Sequence, residues 1–585
     1  MVDLIKDFKK NFLTIHKNFE KNNIVKKNFD FNKISFDLSK DDKRGHISTN
    51  AIFIYLKFTD LDKNEISKIL HNELIRLKHI DKVEIAGKGF INVLFKENYL
   101  ISELKNVYHL KDKFGSSKLG NNKLINIEFI SANPTGPLHV AHSRGAVFGD
   151  VLSNIYKKIG YNVVKEYYVN DSGKQIEILG ESLFLRYKEI VTKKKIKIKI
   201  NQDFYPGEYL IDIARKIFSQ DKDKWIFFDI DKRKSFFKEY ATKEILEIIK
   251  KDCRDLGIVF DNFISEKEII KKKYIDSVFK KLKSESLLYE GILEKPKGIN
   301  DSDWEPRKQL LFKSSMFGDD SDRPFLKSDN NWTYFANDSA YHYNKIKRGF
   351  SKLINIWGSD HIGYIKRMKS IVKVLSNNKI DLKINICQLV HLKKDNKPFK
   401  MSKRSGNFIT INEVINEVGS DCLRFFMLYR KNDTQMDFDL KKVIEKSNDN
   451  PIFYVQYAFA RSSSILRNSK IILEKTNLDK IDNFDNLIDF ISSDEWKIII
   501  KILAWPNIVE NSALKEEPHK IIYYLEELST MFHSFWNKGK DDKSLRFIDS
   551  SNVNKTIIKI YWIISMQIVF KSAFKLLGIK PIDHM

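Results

Sequence analysis

Cysteine is scarce in this chain, and its placement argues against two kinds of site. The three cysteines among 585 residues are Cys253, Cys387 and Cys422, far apart and without a CxxC pair. Zinc cages and disulfide frameworks need cysteines that are closely spaced or paired. The sequence therefore predicts no structural metal and no disulfide scaffold, and it suits a reducing cytoplasm.

Long apolar runs are also missing. The longest uncharged apolar run near the C-terminus, 560–570, is much shorter than the about 20 residues that cross a bilayer. The N-terminal segment alternates charged with apolar residues at helical spacing, unlike the continuous apolar core of a secretory signal. We expect no export and no membrane partner, and a buried helix near the C-terminus.

Negative charge is in deficit, since the formal net charge is +25. Such an excess favours a polyanionic partner, because lysine and arginine neutralise phosphates and release their counterions. Lys, Ile and Asn are abundant even in evident loops such as "VTKKKIKIKINQ", however, so a general compositional bias explains the charge equally well. Charge alone does not decide between these interpretations.

The chain length suits several domains of roughly 100 to 200 residues each. Residues 1–115 mix helical patterns with short β-branched strands, and a Gly-, Ser- and Asn-rich linker follows. Residues 116–445 alternate apolar strands such as "LINIEFI", "KLINIWG" and "INICQLV" with helical stretches, the pattern of a parallel sheet. Residues 446–585 are almost wholly helical in pattern.

One stretch, "NIEFISANPTGPLHVAHSRG", places two histidines after an apolar strand and a proline- and glycine-containing loop. This is the pattern of the first strand-to-helix turn of a nucleotide-binding sheet. The free N–H groups at a helix start favour phosphate, and His139 and His142 fall on one helix face there. Alone, the pair fits ordinary surface or core histidines as well.

A second stretch, "KPFKMSKRSGNF", predicts a mobile basic loop downstream in the same region. Lysine is a compact charge on a flexible stem, suited to following a phosphate through a reaction. An isolated basic cluster of this kind is most often a solvated loop. The two stretches in this order make a nucleotide site much more probable than either alone.

With both motifs in view, the sequence resembles the class I aminoacyl-tRNA synthetases, and among them the arginyl-tRNA synthetases. HVAH stands where that class has HIGH, and KMSKR where it has KMSKS. Other segments are similar to the arginyl enzymes in their order along almost the whole chain: "AGKGFINV", "EFISANPTGPLHVAHSRGAVFGD", "YVNDSGKQI", "YPGEYLIDIA", "YFANDSAYHYNKIKR", "WGSDHIGYIKRM" and "NPIFYVQYAFARSSSIL".

The resemblance implies a multidomain α/β protein. It would comprise a small α/β N-terminal domain that contacts tRNA (1–115), a Rossmann-like parallel-sheet catalytic domain with an inserted region (116–445), and an all-helical anticodon-binding domain (446–585). The implied activity is arginine–tRNA ligase: ATP and arginine give arginyl adenylate and pyrophosphate, and the adenylate passes to the terminal adenosine of arginine tRNA. Mg²⁺ is expected to accompany ATP. We further expect a monomer.

The resemblance also implies site residues, here grouped by expected role. The expected catalytic residues are His139, His142, Lys400 and Lys403. ATP is expected to contact these four and also Pro134, Gly136, Ala141, Met401 and Ser402. The expected arginine ligands are Asn133, Tyr334, Asp338 and Asp360, and the expected tRNA contacts are Gln456, Tyr457 and Arg461. A carboxylate such as Asp338 can take a guanidinium fork bidentately. Without the resemblance, Asp338 would read as a helix-cap aspartate and Tyr457 as a packed helix residue.

Three positions depart from the family pattern. Ala141 stands where a glycine usually lets the adenine approach the backbone, Phe459 replaces the histidine of "QYAHAR", and Arg404 ends KMSKR.

Two other functions stay open on sequence grounds. A nucleotidylyl transferase of the same fold would adenylylate a small acid without tRNA, but it would not need the helical region. A non-catalytic RNA-binding paralogue would not need His139, His142 and Lys403 together.

Overall fold

The N-terminal region begins with an amphipathic helix, as the spacing of its apolar residues predicts. This is α1 (Leu4–Lys21), whose N-cap Asp3 accepts a hydrogen bond from the Lys6 N–H and whose buried face includes Phe8 and Phe12. The computed structural model describes residues 3–26, 29–39, 45–87, 89–196, 204–293, 306–395, 397–398, 409–470, 472, 478 and 485–585.

The rest of this region is an antiparallel sheet covered by helices. Its elements are β1 (Phe36–Leu38), β2 (Ile47–Thr49), α2 (Ala51–Tyr55), α3 (Lys63–Ile75), β3 (Ile80–Ala86), β4 (Phe90–Phe95) and α4 (Glu97–Leu110). The strand order is β1-β2-β4-β3. Phe8 and Phe12 contact Phe36 of β1 edge-on, so α1 packs on the sheet and completes the predicted small α/β domain.

The central region contains the predicted parallel sheet. Its elements are β5 (Leu124–Glu128), α5 (Val140–Lys158), β6 (Asn162–Val169), α6 (Lys174–Thr192), α7 (Tyr209–Asp221), α8 (Ile230–Asp255), β7 (Asn262–Ser265), α9 (Glu266–Lys271), α10 (Tyr274–Ser284), β8 (Leu288–Gly291), β9 (Gln309–Phe312), β10 (Arg323–Leu326), α11 (Tyr334–Lys347), β11 (Lys352–Gly358), α12 (Ile365–Leu375), β12 (Asp381–Cys387), β13 (Val390–Lys394), β14 (Lys397–Pro398), α13 (Ile411–Val418), α14 (Ser420–Leu428) and β15 (Met436–Asp439).

The main sheet has the order β12-β11-β5-β6-β7, and its neighbouring strands all pair in parallel. Two smaller three-stranded sheets, β10-β9-β8 and β14-β13-β15, accompany it. Because the strand order reverses between β11 and β5, a crevice is expected beyond the carboxyl ends of these strands. The β5–α5 turn lies at this edge.

Helix α5 is fixed by two buried arginines. The Arg144 guanidinium donates to the carbonyl oxygens of Gln388 and Thr434 at 3.0 and 2.6 Å. Arg424 of α14 pairs with Asp150 at 2.5 Å, and Lys165 of β6 pairs with the other oxygen of Asp150 at 2.5 Å. Burial alone would raise the pKa of Asp150, but the two cations hold it below its usual value. The start of α5 therefore has a rigid support.

The C-terminal region is helical, as predicted. Its helices are α15 (Pro451–Asn468), α16 (Asp485–Ile488), α17 (Ser493–Leu503), α18 (Trp505–Leu514), α19 (His519–Asp541) and α20 (Val553–Leu577). Helix α20 is long and apolar enough to cross a membrane, yet 83% of its most apolar window is buried. It packs as the core helix of this region, and it contains the run 560–570 that was predicted to be buried.

The N-terminal and C-terminal regions form one compact unit, Met1–Lys118 with Lys446–Met585, and the central region, Leu119–Glu445, forms the other. Within the first unit, Tyr108 of α4 packs against Tyr561 of α20 with tilted rings whose centroids are 5.0 Å apart. Gly115 has φ +77°, and a Cβ there would lie 2.5 Å from the indole nitrogen of Trp505. Only glycine fits at this contact.

Candidate active site

The turn after β5 is strained. The strand was predicted to run to Ile130 but ends at Glu128, and Ile130 and Ser131 adopt φ of +67° and +42°. A positive φ is rare for a β-branched residue and is kept only where the surroundings enforce it. Here the Ser131 hydroxyl donates to Glu128 at 3.1 Å and accepts from the Tyr168 N–H at 3.0 Å.

The loop that follows is held by hydrogen bonds at the exposed Asn133 and by close packing at Gly136. Asn133 accepts a hydrogen bond from Asn170 at 3.1 Å and donates to Gln175 at 2.8 Å, so both ends of its amide are oriented. Pro134 is buried. A Cβ at Gly136 would lie 3.0 Å from the hydroxyl of Tyr209, which leaves little room for a side chain.

The two predicted histidines meet at the start of α5, which begins at Val140. His139 is the N-cap residue, and its backbone N–H donates to Nδ1 of His142 at 3.2 Å. The rings stack with centroids 3.7 Å apart. Since Nδ1 of His142 accepts, the proton of the neutral ring lies on Nε2. Ala141, between them, is half-buried.

The predicted loop residues Lys400, Met401, Ser402 and Lys403, and also Arg404, lie outside the described residues. The chain that follows them is anchored at the first motif. The Val140 N–H donates to the Ile409 carbonyl at 3.1 Å, and the Ile411 N–H donates to the Leu138 carbonyl at 2.9 Å. The segment that leaves KMSKR therefore pairs with HVAH.

The predicted guanidinium ligand Asp338 on α11 lies near two other carboxylates, Glu266 and Glu128, and these three groups are named the acidic pocket. Burial first, and then the nearby carboxylates of Glu266 and Glu128, raise the pKa of Asp338 to about 7, against a hydrogen bond from Tyr364. Burial, and next the charge of Asp171, also raise the pKa of Glu266, against hydrogen bonds from Ser172 and Asn337. Within the described residues, neither Asp338 nor Glu266 forms an ion pair with lysine or arginine.

A buried polar network lies beneath this pocket. Lys345, which is fully buried, pairs with Glu128 at 2.6 Å and also donates to Asn355 at 3.2 Å. Asn355 in turn bonds Nε2 of His342 at 2.9 Å. Burial, with Lys345 second, lowers the pKa of His342 to about 4, so this ring is neutral. Glu128 is thus neutralised by Lys345, whereas Asp338 and Glu266 are not.

The other predicted arginine ligands are exposed. Tyr334 opens α11 one turn before Asp338, and 80% of its surface is accessible. Asp360 lies in the 3-10 helix Ser359–Tyr364 and pairs with His361 at 3.4 Å. Tyr364 ends the same short helix, so this segment brings a hydroxyl to Asp338.

Comparisons with known proteins agree with this geometry. Three family models match in order: the arginyl tRNA synthetase N-terminal domain over 7–95, the class I tRNA synthetase (R) catalytic domain over 103–454 and the DALR anticodon-binding domain over 455–585. An arginine–tRNA ligase of Wolbachia sp. subsp. Brugia malayi is 44% identical over 542 residues, which are 92% of this chain and 93% of that one.

The arginine–tRNA ligase of Bartonella henselae is 40% identical and covers 100% of both chains. The chain belongs to the arginyl-tRNA synthetase family. The predictions of this family, of its three-part fold and of an ATP-dependent arginine–tRNA ligase are confirmed. Thermus thermophilus arginyl-tRNA synthetase, at 16% identity, shares the fold with a TM-score of 0.72 over 100% of both chains.

The residues predicted to bind tRNA differ in exposure within this family's helical domain. Arg461 donates to the Tyr457 hydroxyl at 2.6 Å and lies over the Tyr457 and Trp536 rings, 4.2 and 4.9 Å from their centroids. It also contacts Nδ1 of His533 at 2.9 Å. Burial lowers the pKa of His533 to about 4, so Nδ1 accepts. The guanidinium is thus held between the Tyr457 and Trp536 rings.

Two neighbours on α15 face inward instead. Gln456 is 3% exposed, donates to the Lys580 carbonyl and accepts from the Ile582 N–H at 2.8 and 3.0 Å. Phe459 is fully buried against Phe570 and Phe574. The departure from the family histidine at 459 is thus accommodated as a core contact, and Gln456 holds the chain near the C-terminus.

Sequence reasoning missed Glu128, Glu266 and Tyr364. Glu128 ends β5 and Glu266 directly follows β7, so both lie at the carboxyl ends of parallel strands. A charged residue in that position after an apolar run was the available indication. For Tyr364 the sequence offered none.

Proposed function

We propose that arginine binds with its guanidinium between Asp338 and Glu266. The observation that carries this proposal is the buried carboxylate of Glu266 near the half-buried carboxylate of Asp338, without a cation from the described part of the chain. A guanidinium offers five N–H donors in a planar fork, which two carboxylates and a tyrosine hydroxyl can accept. Tyr334, on the same face of α11 as Asp338, would cover the fork from the solvent side.

The backbone end of arginine then points toward the β5–α5 turn. Asn133, whose amide is fixed by Asn170 and Gln175, would bind this end of the substrate. Asp360 would face the α-amino group, exchanging its contact with His361 for the ammonium. These contacts would place the arginine carboxylate near His139.

ATP binds, we propose, at the start of α5. The N-terminal N–H groups and dipole of this 19-residue helix favour phosphate. Nε2 of His142 would donate to a phosphate oxygen, with His139 beside it. Pro134, Gly136 and Ala141 would line the nucleotide, together with Met401 and Ser402, and Lys400 and Lys403 would approach its phosphates from the loop.

The chemistry is an in-line displacement. An oxygen of the arginine carboxylate attacks the α-phosphorus, the bond to the β,γ-pyrophosphate breaks, and arginyl adenylate forms. Positioning and charge stabilisation suffice for such a step, so no protein nucleophile is needed. The 2′-hydroxyl of the terminal adenosine of tRNA then attacks the activated carbonyl and AMP leaves.

Magnesium would arrive with ATP. Among the residues that the structure describes, no group of three or more His, Cys, Asp or Glu could hold a metal. Because Mg²⁺ usually keeps its waters and binds through substrate phosphates, Mg·ATP is proposed as the substrate.

The tRNA contacts are proposed on the helical and N-terminal domains. Tyr457 and Arg461 present a guanidinium stacked on aromatic rings, a surface that suits unpaired bases and phosphates. Gln456 would act indirectly, by holding residues 580–582. We further propose a monomer that works in the cytoplasm, without a membrane partner.

A panel of amino acids in ATP–pyrophosphate exchange, with and without tRNA, tests these assignments. Arginine should be the only amino acid of the panel that supports exchange, and charging should require arginine tRNA. Exchange with another acid and no effect of tRNA would favour a tRNA-independent nucleotidylyl transferase. No exchange under any condition, with tRNA still bound, would favour a non-catalytic RNA-binding protein.

A further inference from the structure

Leu138, the residue before His139, has its backbone held on both sides. Its N–H donates to Oδ2 of Asp252 at 3.0 Å, and its carbonyl accepts from the Ile411 N–H at 2.9 Å. Leu138 is 1% exposed, so solvent cannot replace either partner. The position of the signature turn therefore depends on Asp252 and on the segment that follows KMSKR.

Asp252 is itself buried, with 3% of its surface exposed, in the last turns of α8. Burial raises its pKa to about 6, against the hydrogen bond from Leu138. One turn away, Asp255 accepts from the side chain of Asn412 in α13 at 3.0 Å. Helix α8 thus contacts both Leu138, the residue before HVAH, and the first turn of α13, the helix that follows KMSKR.

We propose that Asp252 is a positioning residue for adenylate formation, fixing the turn that carries His139 against residues 409–411. This inference rests on the proposed function. Without the carboxylate, the buried Leu138 N–H loses its acceptor and the turn must shift to find another. A shift of about 1 Å at reacting groups can slow a reaction about 100-fold.

The effect should appear in kcat and not in the KM for arginine. The acidic pocket is built from β5, α9 and α11, and Asp252 contributes nothing to it. A residue that merely stabilised the fold would instead lower the amount of active enzyme or loosen the whole central unit. These two behaviours can be separated.

The test compares D252A, D252N and E247A in the full chain. Glu247 lies on the same helix and forms an exposed ion pair with Lys250 at 2.8 Å, so E247A is the matched control. Arginine-dependent pyrophosphate exchange gives kcat and KM. Amide hydrogen exchange, read without substrates, reports on residues 138–142, 409–413 and 334–345.

We expect D252A to lower kcat about 10- to 100-fold with the arginine KM nearly unchanged. D252N, which keeps a weaker neutral acceptor, should lower kcat about 3- to 10-fold. Amides in 138–142 and 409–413 should exchange faster in D252A, and those in 334–345 should not. If D252A fails to fold, the kcat of D252N tests the positioning role of Asp252.

Three results would overturn the proposal: D252N behaving like E247A, faster exchange spread evenly over the central unit, or a rise in arginine KM with kcat intact. If the parent enzyme shows no arginine-dependent exchange even with arginine tRNA present, the proposed function fails instead. The hydrogen-exchange comparison would still decide whether Asp252 holds the turn.

Discussion

Arginine binding should release a proton near neutral pH. The pKa of Asp338 is raised to about 7, first by burial and then by Glu266 and Glu128. A bound guanidinium favours the ionised carboxylate and lowers this pKa, so protonation opposes binding. Arginine affinity is therefore full above pH 7 and is lost as pH falls below it.

The size of the effect follows from one titrating site. With a free-site pKa of about 7, arginine binding weakens about tenfold between pH 8 and pH 6. Asp338→Asn removes this pH dependence and leaves arginine binding weak throughout. Asp338→Ala should lower kcat/KM roughly 100- to several-thousand-fold, since removing one partner of a buried ion pair costs about 3 to 5 kcal/mol. Tyr334→Phe should lose less, because it removes one hydroxyl.

The assay is arginine-dependent charging at saturating ATP and tRNA across this pH range, with arginine KM extracted at each pH. Asp320→Asn is the matched control, because Asp320 forms an exposed ion pair with Lys366 at 2.6 Å. The reasoning fails if Asp338→Ala charges arginine within a few-fold of the parent. An unchanged pH profile in Asp338→Asn would move the titration to another group.

Three further predictions concern other parts of the central unit. Lys403→Ala should slow single-turnover adenylate formation about 100- to 1000-fold while ATP binding persists, and an unchanged rate would remove this lysine from the mechanism. Ala141→Gly should bind ATP as well or better in a binding titration, since glycine permits closer approach; weaker binding by the folded variant would show a pocket adapted to the methyl group. Asp150→Ala should lower the free energy of unfolding by about 3 to 5 kcal/mol in denaturant titrations, because it removes the carboxylate that pairs with the buried Lys165 and Arg424; a change below about 1 kcal/mol would refute this.

Much of the sheet was predictable because its strands are apolar runs bounded by turn residues. The runs at 124–130, 352–358 and 384–390 all contribute strands to one parallel sheet. The apolar residues up to Ile130 predicted that β5 would end there. The strand ends at Glu128 instead, because the packing enforces a positive φ at Ile130. Hydrophobicity reports burial and not backbone conformation.

The pocket was predictable only in part. Asp338 was found through a motif, but Glu128 and Glu266 are 138 residues apart in sequence and meet only through the strand order. Gln456 shows a different limit, since a sequence motif does not reveal whether a polar side chain is buried. Its polarity and motif suggested a tRNA contact, whereas its buried amide donates to the Lys580 carbonyl and accepts from the Ile582 N–H inside the domain.

The charge balance of helix α11 explains how the pocket can accept one cation. Asp338 faces the pocket, while Lys345, two turns later on the same helix, cancels the charge of Glu128 from below. Were Lys345 absent, three carboxylates would share the site and their mutual repulsion would leave more of them protonated. Were Lys345 paired with Asp338 instead, the guanidinium would have to displace it. Because the lysine is fully buried and occupied by Glu128 and Asn355, it leaves Asp338 and Glu266 for the substrate. Ionisation of both Asp338 and Glu266 then gives the incoming guanidinium two carboxylates to pair with, and protonation of Asp338 below pH 7 removes one of them.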